Sequence, residues 1–205
     1  MSDTENTVAE KKLRVGSILK EGIGIGMQNF GPILVNTILW IPSLIIPYIN
    51  IGTTIGMAIG IVAKAGKGEP ISMTEIFNPQ YRKYMGEYFL ASGLVGIGVA
   101  AGTALFIIPG IVISLAWSLA LLLTVDKEKN PTEAITLSNK LTYGYKGTIF
   151  LAQFIVCIVA CIALCIFYLL PSAVAAILSI ALIIVILFVM IGVQAYIYKT
   201  LCENV

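Results

Sequence analysis

The 205 residues are 58% hydrophobic and 12% charged, with a mean hydropathy of +0.94; a soluble domain of this length carries about 25% charged residues and cannot hide so much apolar surface, whereas a bilayer can. A net charge of +2 is too small to argue for nucleic acid as a partner. The absence of His removes the commonest general base and metal ligand, and the four Cys form no CxxC pair, so neither a zinc nor a thioredoxin-like site is indicated.

From the N-terminus, residues 7–22 read as an amphipathic helix lying on the membrane surface. Thr7 and Glu10 have capping-box spacing, Val15, Ile18, Leu19 and Ile23 share a face, and Lys11, Lys12, Arg14 and Lys20 supply basic groups for anionic lipid. A polar start with Asp3, Glu5 and Glu10 argues against a cleaved signal peptide. A first apolar hairpin follows, Phe30 to Ile46 and Ile51 to Ala63, turning at Pro47 with a kink expected at Pro42.

Residues 64–83 form a polar connection, with a second capping box at Ser72 and Glu75 and a helix start at Asn78-Pro79. The second hairpin, Tyr88 to Ile108 and Ile111 to Val125, turns at Pro109-Gly110. The charged turn 126–130 then leads into Asn130-Pro131-Thr132-Glu133, with an Asn cap, Pro at the first helical position and Glu at the third. That helix is expected to end near Gly144. The third hairpin, Thr148 to Leu170 and Ser172 to Tyr198, turns at Pro171. Pro47, Pro109 and Pro171 are evenly spaced, 62 residues apart, which suggests a repeat built on hairpins.

All 13 Lys and Arg fall at 11–20, 64–83, 127–146 and 199, and the three Pro turns carry no charge. The positive-inside rule therefore places both termini and both long connections in the cytoplasm, with seven of the nine Tyr as an aromatic belt near that face.

Several short motifs, Ile76-Phe77, Ile108-Pro109-Gly110-Ile111, Asp126, Ala134-Ile135 through Ser138, Gly144-Tyr145-Lys146 before Ile149-Phe150, and Ala195-Tyr196-Ile197-Tyr198, carry a resemblance. With them the chain resembles bacterial and archaeal six-helix membrane families of unknown function, related to the membrane domain of glycerophosphoryl diester phosphodiesterase. The likeness carries no catalytic residues, since in the phosphodiesterase fusions the hydrolase is a separate soluble domain. Gly147 departs from the pattern, which usually has Trp there.

Gly52, Gly56 and Gly60 form a two-step GxxxG run, and the 62-residue offset aligns the first two with Ser114 and Ser118. Such a small-residue face suits either packing inside the chain or self-association around a pore. Cys157, Cys161 and Cys165 share one helix face, but the outer two are about 12 Å apart at 1.5 Å per residue, too far for one ion, so they read as small packing residues. Cys202 is a possible acylation site at the inner interface.

Glu87 and Asp126 are the acids nearest the apolar segments and read as interfacial caps beside Lys83 and Lys127, with a proton site as the alternative. Asn36, Gln153 and Gln194 are the strongest polar groups at depth, suited to interhelical bonds or to a narrow polar path. No Ser has a convincing base, and Gly22-x-Gly24-x-Gly26 follows no strand, so neither a hydrolase nor a nucleotide site is indicated.

The expected architecture is all-α: one polytopic membrane domain over 1–205. It has an amphipathic segment at 1–22 and six transmembrane helices as hairpins at 30–64, 86–126 and 147–199. The expected function is a non-enzymatic scaffold or accessory subunit in the plasma membrane, acting through its inner-leaflet amphipathic helices. The alternative is a homo-oligomeric channel or facilitator. The expected partners are the bilayer, with anionic lipid, and a second copy or another membrane protein; no cofactor or metal is expected.

Overall fold

The computed structural model describes residues 13–205, which are helical throughout with short connections and no strands. The Thr7–Glu10 capping box, Lys11 and Lys12 lie outside the described residues. Eight helices carry the architecture: α1 (Val15–Gln28), α2 (Phe30–Ser43), α3 (Pro47–Lys67), α4 (Met85–Leu105), α5 (Ile107–Asp126), α6 (Pro131–Leu141), α7 (Lys146–Phe167) and α8 (Ser172–Cys202). Five of them, α3, α4, α5, α7 and α8, are long and apolar enough to cross a membrane. At 14 residues and about 1.5 Å per residue, α2 spans roughly 21 Å, short of the ~30 Å hydrocarbon core.

The central strut is α8, which packs most extensively against α1 and against the second half of α3. Glycines set the first contact. A Cβ on Gly22 would lie 2.8 Å from Val193 Cα, one on Gly26 would lie 2.5 Å from the Phe188 carbonyl oxygen, and Gly192 faces the backbone of Gly22 and Gly26. The two backbones can approach this closely only because no side chain intervenes. Ile18 is fully buried, and Phe30 meets Phe188 with ring centroids 4.6 Å apart. Here the structure departs from the surface-lying helix expected for 7–22: from Val15 onward the segment is docked lengthwise on α8. Arg14 and Lys20 remain exposed.

The second antiparallel pair is α4 and α5, in a register fixed by small residues. Gly98 faces the Trp117 ring, Gly102 faces Ile113 and Gly110, and Gly110 faces Thr103. This register carries Met85 to the level of the chain just past Asp126. The three prolines sit at the starts of the returning helices rather than at the tips. Pro47 opens α3, Pro109 is the third residue of α5 after an extended Phe106, and Pro171 caps α8. A fixed φ and a missing N–H cost nothing in a first helical turn, which is why proline is tolerated there.

Two of the long helices are interrupted. In α3 a π-helical turn, Gly56–Gly60, separates Pro47–Ile55 from Ile61–Lys67. In α5 the helix breaks after Ala116 and resumes at Ala120. The 62-residue offset places Gly56 on Ser118, so the two interruptions occupy corresponding positions of the repeat.

Candidate functional site

The polar groups at the charged end form three connected networks. The first fixes residues 68–84 onto the hairpin of α2 and α3. Asn36, fully buried on α2, donates to the carbonyls of Pro32 and Ser72 at 2.8 Å each and accepts from the Ile76 N–H at 3.1 Å. The hairpin itself is closed by Trp40 Nε1 donating to Thr54 Oγ1 at 3.1 Å and by Ser43 and Thr53 hydroxyls 2.8 Å apart. Glu75 is only 3% exposed. Its carboxylate accepts from Lys64 Nζ at 2.9 Å, from the Tyr81 hydroxyl at 2.8 Å and from the Ser72 N–H at 3.3 Å.

The last of these is half of the expected capping box, but the helix it starts is a single 3₁₀ turn, Glu75–Phe77. Burial pushes the Glu75 carboxyl up. The hydrogen bonds from Lys64, Tyr81 and Ser72, with the Lys64 charge, outweigh that and hold it below its ordinary value of 4.5. The Tyr81 phenol is raised by burial and by its bond to Glu75.

This network explains the glycine run. A Cβ on Gly56 would lie 2.8 Å from Ile76 Cα, Gly60 is covered by the Tyr81 ring, and Gly52 by the aliphatic stem of Arg82. The groove of Gly52, Gly56 and Gly60 is therefore filled from within the chain, by the polar connection rather than by another membrane helix. Ser114 and Ser118 do not join it. Ser114 is exposed and bonds back to the Ile111 carbonyl, and Ser118 is half-buried and bonds to Leu115.

The second network centres on Asp126 at the end of α5. Lys67 Nζ lies 2.6 Å from one carboxylate oxygen and the Tyr198 hydroxyl bonds the other, so α3, α5 and α8 meet on one group. Lys127, the expected neighbour, turns away to the Val205 carbonyl at 2.6 Å. Beside it the Tyr84 hydroxyl bonds Glu128, which has a left-handed backbone, φ 51°. That bond raises the Tyr84 phenol. Between these groups lies a cavity of about 340 Å³, lined among others by Lys64, Lys67, Glu69, Tyr81, Asp126 and Glu128. A second, of about 220 Å³, is lined by Lys67, Lys127, Tyr198, Lys199, Cys202 and neighbours.

The third network repairs the break in α5. The helix α6 starts as expected, with Asn130 Oδ1 accepting from the Thr132 N–H at 3.1 Å. It ends at Leu141, before the left-handed Gly144. Its buried stripe of Ala134, Ser138 and Thr142 packs on the interruption. Ser138 Oγ donates to the Ala116 carbonyl at 2.7 Å and accepts from the Leu119 N–H at 3.2 Å, while Thr142 also donates to Ala116 at 3.2 Å. Gln194 of α8 supplies the remaining partner, donating to the Ser118 carbonyl at 3.1 Å. Backbone freed from a helix inside an apolar bundle must find such donors and acceptors.

Glu87 is exposed at the start of α4, Gln153 is half-buried, and Cys157, Cys161 and Cys165 are exposed along α7. Cys202 is buried beside the smaller cavity. Sequence reasoning located Asn36, Asp126 and Gln194 but missed Ser138 and Thr142. Their signal was present as small residues at i, i+4 and i+8 from Ala134. The chain matches no known protein family, no curated protein and no solved structure, so its function has to be read from this geometry.

Proposed function

We propose that the chain is a non-enzymatic, multi-pass protein of the plasma membrane, with both termini in the cytoplasm. It acts there as a scaffold or accessory subunit and organises lipid or a partner through its charged end. One observation carries this reading. Both charged connections are folded back onto the helices and held by buried side-chain-to-backbone bonds, through Asn36 on one side and Ser138 on the other. A surface fixed in this way presents its charges in a constant arrangement, which a docking face requires and a mere linker does not. Arg14, Lys20, Lys83, Lys140 and Lys199 are exposed on it, and each basic group near an anionic surface contributes about 1 kcal/mol. The channel alternative rested on the glycine run, and that run is covered by Ile76, Tyr81 and Arg82.

The test uses the whole chain reconstituted in vesicles of neutral lipid doped with fluorescent phosphatidylglycerol. Recruitment of the labelled lipid around the protein is expected, weakened by salt, with an entrapped small dye and potassium retained. Leakage of either solute without lipid recruitment would replace the scaffold with the channel.

A further inference from the structure

By length and hydropathy α3 qualifies as a crossing, but its contacts place both of its ends at the same end of the bundle. At one end Lys67 pairs with Asp126 at the terminus of α5, and a Cβ on Gly66 would lie 2.7 Å from the Ala195 carbonyl oxygen near the terminus of α8. At the other end Gly52 is covered by Arg82, whose guanidinium lies 5.9 Å from the centre of the Tyr48 ring. Arg82 stands three residues before Met85, where α4 begins beside the end of α5. Gly52 and Lys67 are fifteen residues apart, about 22 Å along a helix. A helix that touches the charged end of the bundle at two points so far apart runs across that end.

Charge and burial agree with this. The connection carrying Glu75, Arg82 and Lys83 lies along α3 from Lys64 to Tyr48. If α3 stood upright, Arg82 and Lys83 would be carried away from the charged end toward hydrocarbon, where charged side chains are rare and mark pathways. The apolar character of α3 has another outlet. In its most apolar stretch 67% is buried inside the protein, the highest of the five candidate spans, against 44% for α5, 17% for α7 and 11% for each of α4 and α8. Protein, rather than lipid, covers most of α3.

We propose that the hairpin of α2 and α3 does not cross the bilayer. It lies along the charged-side boundary, with an apolar rim of Ile38, Ile41, Leu44, Ile45 and Ile46 seated in the acyl chains of that one leaflet. The rim is exposed, 57% at Ile38, 60% at Ile41 and 81% at Ile45, and it continues the exposed Ile23, Met27 and Phe30 of α1. That continuity identifies its occupant as the leaflet into which α1 already dips along α8. The crossings are then α4, α5, α7 and α8, an even number that leaves both termini on one side. The inference rests on the multi-pass reading above and goes beyond it by naming the element that lies flat.

The experiment is labelling with a membrane-impermeant maleimide in intact cells and in inverted vesicles, after Cys157, Cys161, Cys165 and Cys202 are replaced by Ala. Tyr48→Cys is the reporter, with Asn50→Cys, outside the apolar rim, as a second position on the same turn should the Arg82 contact matter for folding. Asn130→Cys marks the charged side and Phe106→Cys and Tyr168→Cys the opposite one. The reporters should label together with Asn130→Cys and lose labelling when reagent is confined to the Phe106 side. Labelling from the Phe106 side, or from neither side, overturns the flat hairpin. If Asn130→Cys and Phe106→Cys label from the same side, the multi-pass reading fails first, and this inference with it.

Discussion

Glu75 shows how a single buried charge holds a connection in place. Its carboxylate has three donors and almost no contact with solvent, so removing the charge strands Lys64 and loosens Tyr81 over Gly60. Glu75→Gln is expected to cost about 1–3 kcal/mol, less than the roughly 3–5 kcal/mol of a fully buried pair because Lys64 is partly exposed. The sign of the pH dependence follows from the lowered carboxyl. A depressed native value contributes stability that is present above 4.5 and lost as pH falls through the native value. Thermal melts of the solubilised wild type should therefore drop below pH 4.5 more steeply than those of Glu75→Gln. Parallel curves would show that Glu75 does not titrate with unfolding. Gly56→Ala tests the same contact from the other side. Its Cβ would press on Ile76 Cα, a backbone atom that cannot swing away, and overpacking of this kind costs about 1–3 kcal/mol. A lower melting temperature with an unchanged oligomer distribution is expected; dissociation of an assembly of intact chains would make the groove an intermolecular face.

At the scale of elements, α6 serves as the repair for α5. The carbonyl of Ala116 and the N–H of Leu119 have no helical partners at the break, and Ser138 serves both. Ser138→Ala is expected to destabilise by about 1–3 kcal/mol, the usual cost of orphaning a buried backbone group. The pair Ser138→Ala with Thr142→Val should cost more than the sum of the singles, because either hydroxyl can serve Ala116 when the other is gone. Additive losses in a double-mutant cycle would mean that the two side chains act separately. The docking of α1 on α8 is the second element-scale device. Gly26→Leu must displace α1 from the Phe188 carbonyl, and at about 1–3 kcal/mol this shifts the docked equilibrium roughly fivefold to a hundredfold. Tryptic cleavage after Lys20 in the whole protein should rise accordingly, and unchanged cleavage would show that α1 does not depend on this contact.

For the molecule as a whole, Asp126 is the group on which three helices converge. Lys67 brings α3, Tyr198 brings α8, and Asp126 itself ends α5. Asp126→Asn keeps the shape but removes the charge that holds Lys67. The expected result is a loss of about 1–3 kcal/mol in the cooperative unfolding of the solubilised chain. By contrast Glu133→Ala, which breaks the exposed pair with Lys129 and removes an acid from the first turn of α6, should cost less than about 1 kcal/mol. Equal effects of the two substitutions would deny Asp126 its joining role.

The sequence alone determined the class of molecule and the positions of its charges. Uninterrupted apolar runs of about twenty residues must be helical where they meet lipid, because a helix satisfies its backbone within one segment whereas a barrel strand alternates apolar with polar residues, and the 13 basic residues fall in four places separated by uncharged turns. Local chemistry also sufficed for the start of α6, since Asn130, Pro131 and Thr132 make their contacts within three residues. What lay beyond it depended on partners far along the chain. The glycine run read as a face awaiting a helix, because Ile76 and Tyr81 become its occupants only through Asn36, forty residues before Ile76. Hydropathy marks α3 as long and apolar enough to cross, and it records how apolar a segment is, not whether lipid or protein covers it. That choice belongs to the packing of α3 against α8, α5 and the connection, and only the tertiary structure decided it.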